Sequence, residues 1–177
     1  DGTLDKYIGD CVMAFWGAPT PDPLQAVHCV RAAIDAQRAL HALNEQRVRE
    51  NKVIEQENLV RCKSGLPPKP LLPLISLGTG INTGTAIAGL MGSDDDIVNY
   101  TVFGREINLA SRLEAESGHS RILIGEGTYL ALKRDDPTLA STCLPLPPMR
   151  MKGFRSEIKA YEVPWHALEN AQRPCAS

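Results

Sequence analysis

At 177 residues the chain can enclose one hydrophobic core and is short for two domains. Apolar residues make up 43% and charged residues 23%, an ordinary globular composition. The net charge of −2 excludes a broad basic field for nucleic acid and leaves room for a small cationic pocket. No uninterrupted apolar run of about 18 residues occurs, so no membrane-spanning segment is expected. The opening Asp1-Gly-Thr-Leu4 has neither the basic start nor the apolar stretch of a signal peptide.

Thr3 to Trp16 reads as a β-hairpin turning at Gly9-Asp10, with Cys11 to Trp16 as its second strand. Pro19, Pro21 and Pro23 end it. Asp22 is placed to cap a helix with Pro23 at its first position. Leu24, Val27, Val30, Ile34, Leu40 and Leu43 make one stripe, which predicts an amphipathic helix from about 23 to 47. From Arg47 to Pro73 the pattern dissolves into charge and then Gly65-Leu-Pro-Pro-Lys-Pro70, read as a frayed helix end and a surface loop.

Leu74 to Ile81 reads as a strand, Asn82-Thr83-Gly84 as a turn and Thr85 to Met91 as a second strand, together a hairpin. Gly92 to Asp96 is a solvated turn and Ile97 to Phe103 a third strand. Gly104 opens a helix with Ile107, Leu109, Ala110 and Leu113 on one face, ending at Ser117-Gly118. A strand at 121–124, a short helix at 126–133 and strands near 142–146 and 158–163 follow. Strands, helices and hairpins in this mixture indicate an α+β fold, a largely antiparallel sheet with helices packed on it. The five cysteines (Cys11, Cys29, Cys62, Cys143, Cys175) show no CxxC pair and no zinc spacing with the four histidines. They are expected as reduced thiols used as small apolar residues, consistent with a cytoplasmic setting.

Four segments carry the functional reading. Asp5-Lys-Tyr-Ile-Gly-Asp-Cys-Val-Met-Ala-Phe-Trp16 resembles the metal-hairpin motif of class III adenylate and guanylate cyclases. Gly80-Ile-Asn-Thr-Gly84 with Gly89 resembles their central glycine-bearing hairpin, and Tyr100 to Glu114 their substrate strand and helix. Met151-Lys-Gly-Phe154 followed by Tyr161-Glu-Val163 resembles the closing hairpin. The resemblance covers about residues 1–164 as one catalytic domain, with 165–177 as a tail, and it implies the ferredoxin-like fold of that family.

The reaction it implies is in-line attack of a ribose 3′-hydroxyl on the α-phosphate with loss of pyrophosphate, in which catalysis is positioning and charge neutralisation. By resemblance Asp10 is one of two metal aspartates for a pair of Mg2+ or Mn2+ ions, which take hard oxygen ligands. The resemblance implies Lys6 and Thr101 as the residues that face the base: a lysine donor and a hydroxyl acceptor would complement adenine N1 and its 6-amino group. Lysine at the first position marks the adenylate type, and threonine at the second resembles a recognised subgroup. Asn108 and Arg112, four apart on one helix face, are implied to orient the ribose and to neutralise charge at the α-phosphate, a role that suits a guanidinium. Lys152 is implied to hold the terminal phosphates.

ATP is therefore the expected substrate, and a homodimer with two shared sites the expected assembly. The family's other metal aspartate lies upstream of the hairpin, before Asp1, so the sheet is expected to be N-terminally incomplete here. A non-catalytic dimerisation or nucleotide-binding module of the same fold stays open at this point.

Overall fold

The computed structural model describes residues 2–91 and 99–166. Strands β1 (Thr3–Ile8) and β2 (Cys11–Phe15) form the expected antiparallel hairpin across Gly9-Asp10. Their register slips by one residue: Leu4 faces Ala14, whereas Lys6 faces Met13. Asp5 is thus the extra residue of a β-bulge, a device that re-aims side chains which plain alternation would send to opposite faces.

Helix α1 (Gln25–Lys63) is 39 residues long, far beyond the expected end near 47. Asp22 holds the entry as foreseen in kind, accepting from the Leu24 amide at 2.9 Å, but the helix begins two residues after Pro23. Val27, Val30 and Ile34 are buried, while Leu24 and Leu43 of the expected stripe are exposed. The outer half faces a second partner. After Gly65 the chain reverses, and 66–77 runs back along α1 as an extended, Pro-rich arm rather than a loose loop.

A seven-residue stripe of α1 grips this arm. Asn44, Asn51 and Asn58 each donate to and accept from one backbone unit, that of Ile75, Leu72 and Lys69 respectively, at 2.6–3.0 Å. Gln37 continues the row inward, donating to the Leu77 carbonyl at 2.6 Å. Arg47 and Arg61 reach the carbonyls of Pro73 and Pro67. Seven helical residues rise about 10.5 Å, and three residues of polyproline-like chain rise about 9.3 Å. The two repeats nearly coincide, so the clasp recurs. The expected strand from Leu74 is accordingly cut to β3 (Thr79–Ile81), because the backbone up to Leu77 is already engaged by α1.

The expected hairpin between 74–81 and 85–91 does not form. β3 pairs in parallel with β6 (Ile122–Gly125), whereas β4 (Ile87–Met91) pairs antiparallel with β5 (Asn99–Phe103). Three residue pairs of β3 lie on β6, an all-buried strand, and that apolar partner outweighs local turn closure. The turn expected at Gly92–Asp96 and the start of the third strand at Ile97 lie outside the described residues.

Helix α2 (Arg105–Ser117) follows β5, and α3 (Glu126–Asp135) and α4 (Pro137–Thr142) follow β6. Helix α4 occupies the start of the expected 142–146 strand, its entry capped by Asp136 accepting from the Leu139 amide. β7 (Leu144–Pro145) and β8 (Ala160–Glu162) complete a four-stranded sheet in the order β3-β6-β8-β7, antiparallel apart from β3-β6.

β6 is the centre. Ile122 and Ile124 pack into one core with Val27, Val30 and Ile34 of α1 and Leu132 of α3. Leu123, pointing the other way, packs with Leu109 and Leu113 of α2, Met151 and Ala160. The architecture is α+β, as the residues imply. Of the tail expected at 165–177, Trp165 packs into the core and donates to the Ser120 carbonyl at 2.8 Å, while 167–177 lie outside the described residues. The cysteines that the structure describes are free thiols. Burial pushes Cys29 up to about 12 and Cys143 up to about 11, so both serve as packing groups.

Candidate active site

Two glycines place the helix that carries Asn108 and Arg112. Gly104 enters α2 at φ 144°, a backbone region hostile to residues with a Cβ. Gly80 on β3 lies so close to α2 that a Cβ there would collide with the Glu114 amide and the Ala110 carbonyl. Asn82, just past β3, donates to the Glu106 carboxylate at 2.7 Å and to its carbonyl at 3.3 Å, pinning the first turn. Asn108 and Arg112 then project from the exposed side of a helix whose Leu109 and Leu113 are buried.

Lys6 and Thr101, 95 residues apart, are brought together by the packing of the β1-β2 hairpin on β5. Lys6 Nζ donates to Thr101 Oγ1 at 3.0 Å. Thr101 Oγ1 in turn donates to Asp5 Oδ2 at 2.7 Å, and Lys6 Nζ lies 3.4 Å from Asp5 Oδ1. Thr101 is 7% exposed and the Asp5 side chain fully buried, whereas 44% of the Lys6 side chain reaches solvent. Asp5 Oδ1 is within ion-pair distance of Lys6 yet takes no hydrogen bond. The cluster is therefore a buried carboxylate with one threonine and one half-exposed ammonium over it.

Asp10 sits exposed at the hairpin tip and Lys152 in the exposed turn between Met151 and Phe154, which closes with a backbone bond of 3.1 Å. Arg105, the first residue of α2, lies over the Phe154 ring at 5.2 Å, a cation–π contact that fastens the Lys152 turn against the start of α2. Neither Asp10 nor Lys152 bonds to another candidate among the described residues. Asp10 presents one carboxylate, and among the described residues no three His, Cys, Asp or Glu side chains gather to hold a cation. Those residues alone do not make a complete divalent-ion site.

The sequence reading missed Asp5, Asn82 and Arg105. Asp5 carried a signal: a carboxylate wedged between Leu4 and Lys6 breaks strand alternation, as a bulge residue does. Asn82 and Arg105 act only through partners remote in sequence, so nothing local marks them.

Residues 5–164 match the family described as the adenylate and guanylate cyclase catalytic domain. Adenylate cyclase 1 of Rhizobium meliloti (strain 1021) is 31% identical over 164 residues, 92% of this chain and 21% of its own length. The adenylate cyclase of Anabaena cylindrica is 34% identical over 164 residues, 92% of this chain and 28% of its own length. Among solved structures, the adenylyl cyclase CyaB of P. aeruginosa superposes with a TM-score of 0.69 at 33% identity, covering 92% of this chain and 71% of that one. Proteins named guanylate or guanylyl cyclase are also among the matches. This chain thus spans about a quarter of the length of the two curated relatives. No described helix is long and apolar enough to cross a membrane.

Proposed function

Because the chain belongs to the family of adenylate and guanylate cyclase catalytic domains, we propose that its protein is an adenylate cyclase of the cytoplasm, converting ATP to 3′,5′-cyclic AMP and pyrophosphate. The observation that carries the choice of adenine is the 3.0 Å hydrogen bond between Lys6 and Thr101. That contact places an ammonium donor beside a hydroxyl acceptor, the polarity that adenine's N1 and 6-amino edge requires. Guanine presents the reverse polarity, and a site built for one edge leaves polar groups unpaired against the other.

In this reading Asn108 orients the ribose so that its 3′-oxygen lines up with the α-phosphorus. Arg112 spreads two or more N–H donors over the α-phosphate oxygens as charge builds there. Lys152, on a turn held by Phe154 and Arg105, takes the terminal phosphates. The 3′-oxygen–phosphorus bond forms as the bridging bond to the β-phosphate breaks; pyrophosphate leaves with the bridging oxygen, and the 3′-hydroxyl proton is released to solvent. Asp10 is the residue of this chain proposed to ligate Mg2+ or Mn2+, whose charge when bound would offset that of the phosphates. The domain is taken as residues 1–164, with 165–177 as a tail.

Asp10 on the hairpin tip, Asn108 and Arg112 on α2 and Lys152 on its turn are all exposed, and neither Asp10 nor Lys152 bonds to another candidate among the described residues. We take this as support for sites completed by a second copy. Asp10→Ala and Arg112→Ala proteins should each be nearly inactive. Mixed, they should recover about a quarter of parent cyclic AMP formation, since about half of the dimers pair unlike copies and each such dimer holds one intact site. Heterodimers that form on cross-linking yet stay as inactive as either variant would exclude shared sites. Equal turnover of ATP and GTP by the unmodified protein would refute the base assignment.

A further inference from the structure

We infer that Asp5 is a specificity-determining positioning residue: it fixes the direction of the Thr101 hydroxyl and so makes Thr101 an obligate acceptor toward the base. The inference rests on the reading of Lys6 and Thr101 as the base-selecting pair.

A threonine hydroxyl has one proton and two lone pairs, so left alone it can face a donor or an acceptor equally well. A base-reading hydroxyl that rotates freely would accept from adenine's 6-amino group and donate to guanine's 6-oxygen. It would select nothing. In this chain the single proton is committed. Thr101 Oγ1 donates to Asp5 Oδ2 at 2.7 Å, and a carboxylate has no proton to give back. One lone pair then takes Lys6 Nζ at 3.0 Å. The remaining lone pair is the only polarity Thr101 can offer a ligand.

Lys6 is constrained in the same way. One of its three protons goes to Thr101, and the ammonium lies 3.4 Å from Asp5 Oδ1 without hydrogen-bonding to it, so toward a ligand Lys6 can offer only donors. The exposed part of the group is therefore an ammonium donor beside a hydroxyl acceptor, the complement of adenine N1 and its amino group. Guanine would bring an acceptor to Thr101 and the N1 proton to Lys6, and both would go unpaired.

Two further observations assign this role to Asp5 rather than to incidental packing. The bulge at Asp5 spends a residue of the β1-β2 ladder, and it lets neighbouring residues both reach Thr101. A carboxylate is also fully buried with one oxygen lacking any hydrogen bond, an arrangement costly to keep unless the charge does something there. Apolar packing would not call for it.

The test reads one ratio, kcat/KM for ATP over kcat/KM for GTP, in the full protein. Asp5→Asn keeps the shape but can donate through its amide, freeing the Thr101 proton. The ratio should fall at least about tenfold, a step at which one hydrogen-bond polarity is decided. Thr101→Val should lose the ratio to a similar extent, and the double variant should lose no more, because Asp5 acts through that hydroxyl. A ratio unchanged by Asp5→Asn, both nucleotides slowed alike, or losses that add across the pair would each overturn the inference.

Should Asp5→Asn fail to fold, the unmodified protein decides with inosine triphosphate, which carries guanine's 6-oxygen and N1 proton without its 2-amino group. Rejection as strong as that of GTP supports the locked hydroxyl, and turnover equal to ATP overturns it. An unmodified protein that shows no ATP preference would instead remove the base assignment itself. Preference in the parent with no change in the Asn variant would remove Asp5 alone.

Discussion

The cluster under the hairpin and the clasp along α1 are both built from hydrogen bonds of polar side chains, yet they work oppositely. At the cluster three side chains from two elements converge on one another, and the carboxylate among them is fully buried. Along α1 each asparagine serves one backbone unit and ignores its neighbours, in half-exposed surroundings. The first arrangement is coupled, so losing one member strands the rest in low dielectric. The second is a row of near-independent rungs. Coupling suits a site that must hold one polarity, and repetition suits a brace that must only stay in place.

The largest expected effect separates the catalytic face from both. Arg112→Ala should cost roughly 3 kcal/mol of transition-state stabilisation, about a hundredfold or more in kcat. Its melting temperature should hardly move, since Arg112 is exposed and makes no ion pair among the described residues. A large drop in melting temperature would mean that the residue braces the fold instead.

Lys6→Ala should strike stability and selectivity together. It leaves the buried Asp5 carboxylate without its counter-charge, a loss of about 2 kcal/mol by denaturant titration, alongside a collapse of the ATP preference. Full stability would show that water replaces the ammonium and that the cluster is less closed than the packing implies.

Asn51→Ala should cost about 1–2 kcal/mol, for two hydrogen bonds at 2.7 and 2.9 Å in a partly buried setting. Activity per folded molecule should stay at the parent level, because no candidate residue touches the arm. Asn44→Ala with Asn58→Ala should add within about 0.5 kcal/mol, as distant independent sites do. Strong non-additivity would erase the distinction between rungs and cluster. The smallest effect belongs to Arg31→Ala, whose ion pair with Asp136 at 2.8 Å should be worth no more than about 1 kcal/mol in thermal unfolding.

How much could be read in advance follows the same division. The hairpin at Gly9-Asp10, the helix from Gly104 to Ser117 and the β6 strand were readable because turn chemistry and apolar periodicity are local. The outer half of α1 was not, because its seam is polar. Gln37, Asn44, Asn51 and Asn58 keep a seven-residue spacing, but a search for apolar stripes passes over amides. The β3-β4 hairpin was misjudged for a related reason. Asn82-Thr83-Gly84 is good turn chemistry, but Ile81 is buried against β6, and that burial decided the pairing.

The residues by themselves settled the family-level pattern, the α+β class and the types of side chain available at Lys6, Asp10, Thr101, Asn108, Arg112 and Lys152. Only the tertiary structure decided that Lys6 and Thr101 meet, since contact between residues 95 apart depends on how a hairpin packs on a strand. It alone disclosed Asp5 as their third partner. Sequence order records which groups a chain owns, and a hydrogen bond needs them within about 3 Å and aligned. That condition is met only when the bulge turns β1 and the hairpin packs on β5.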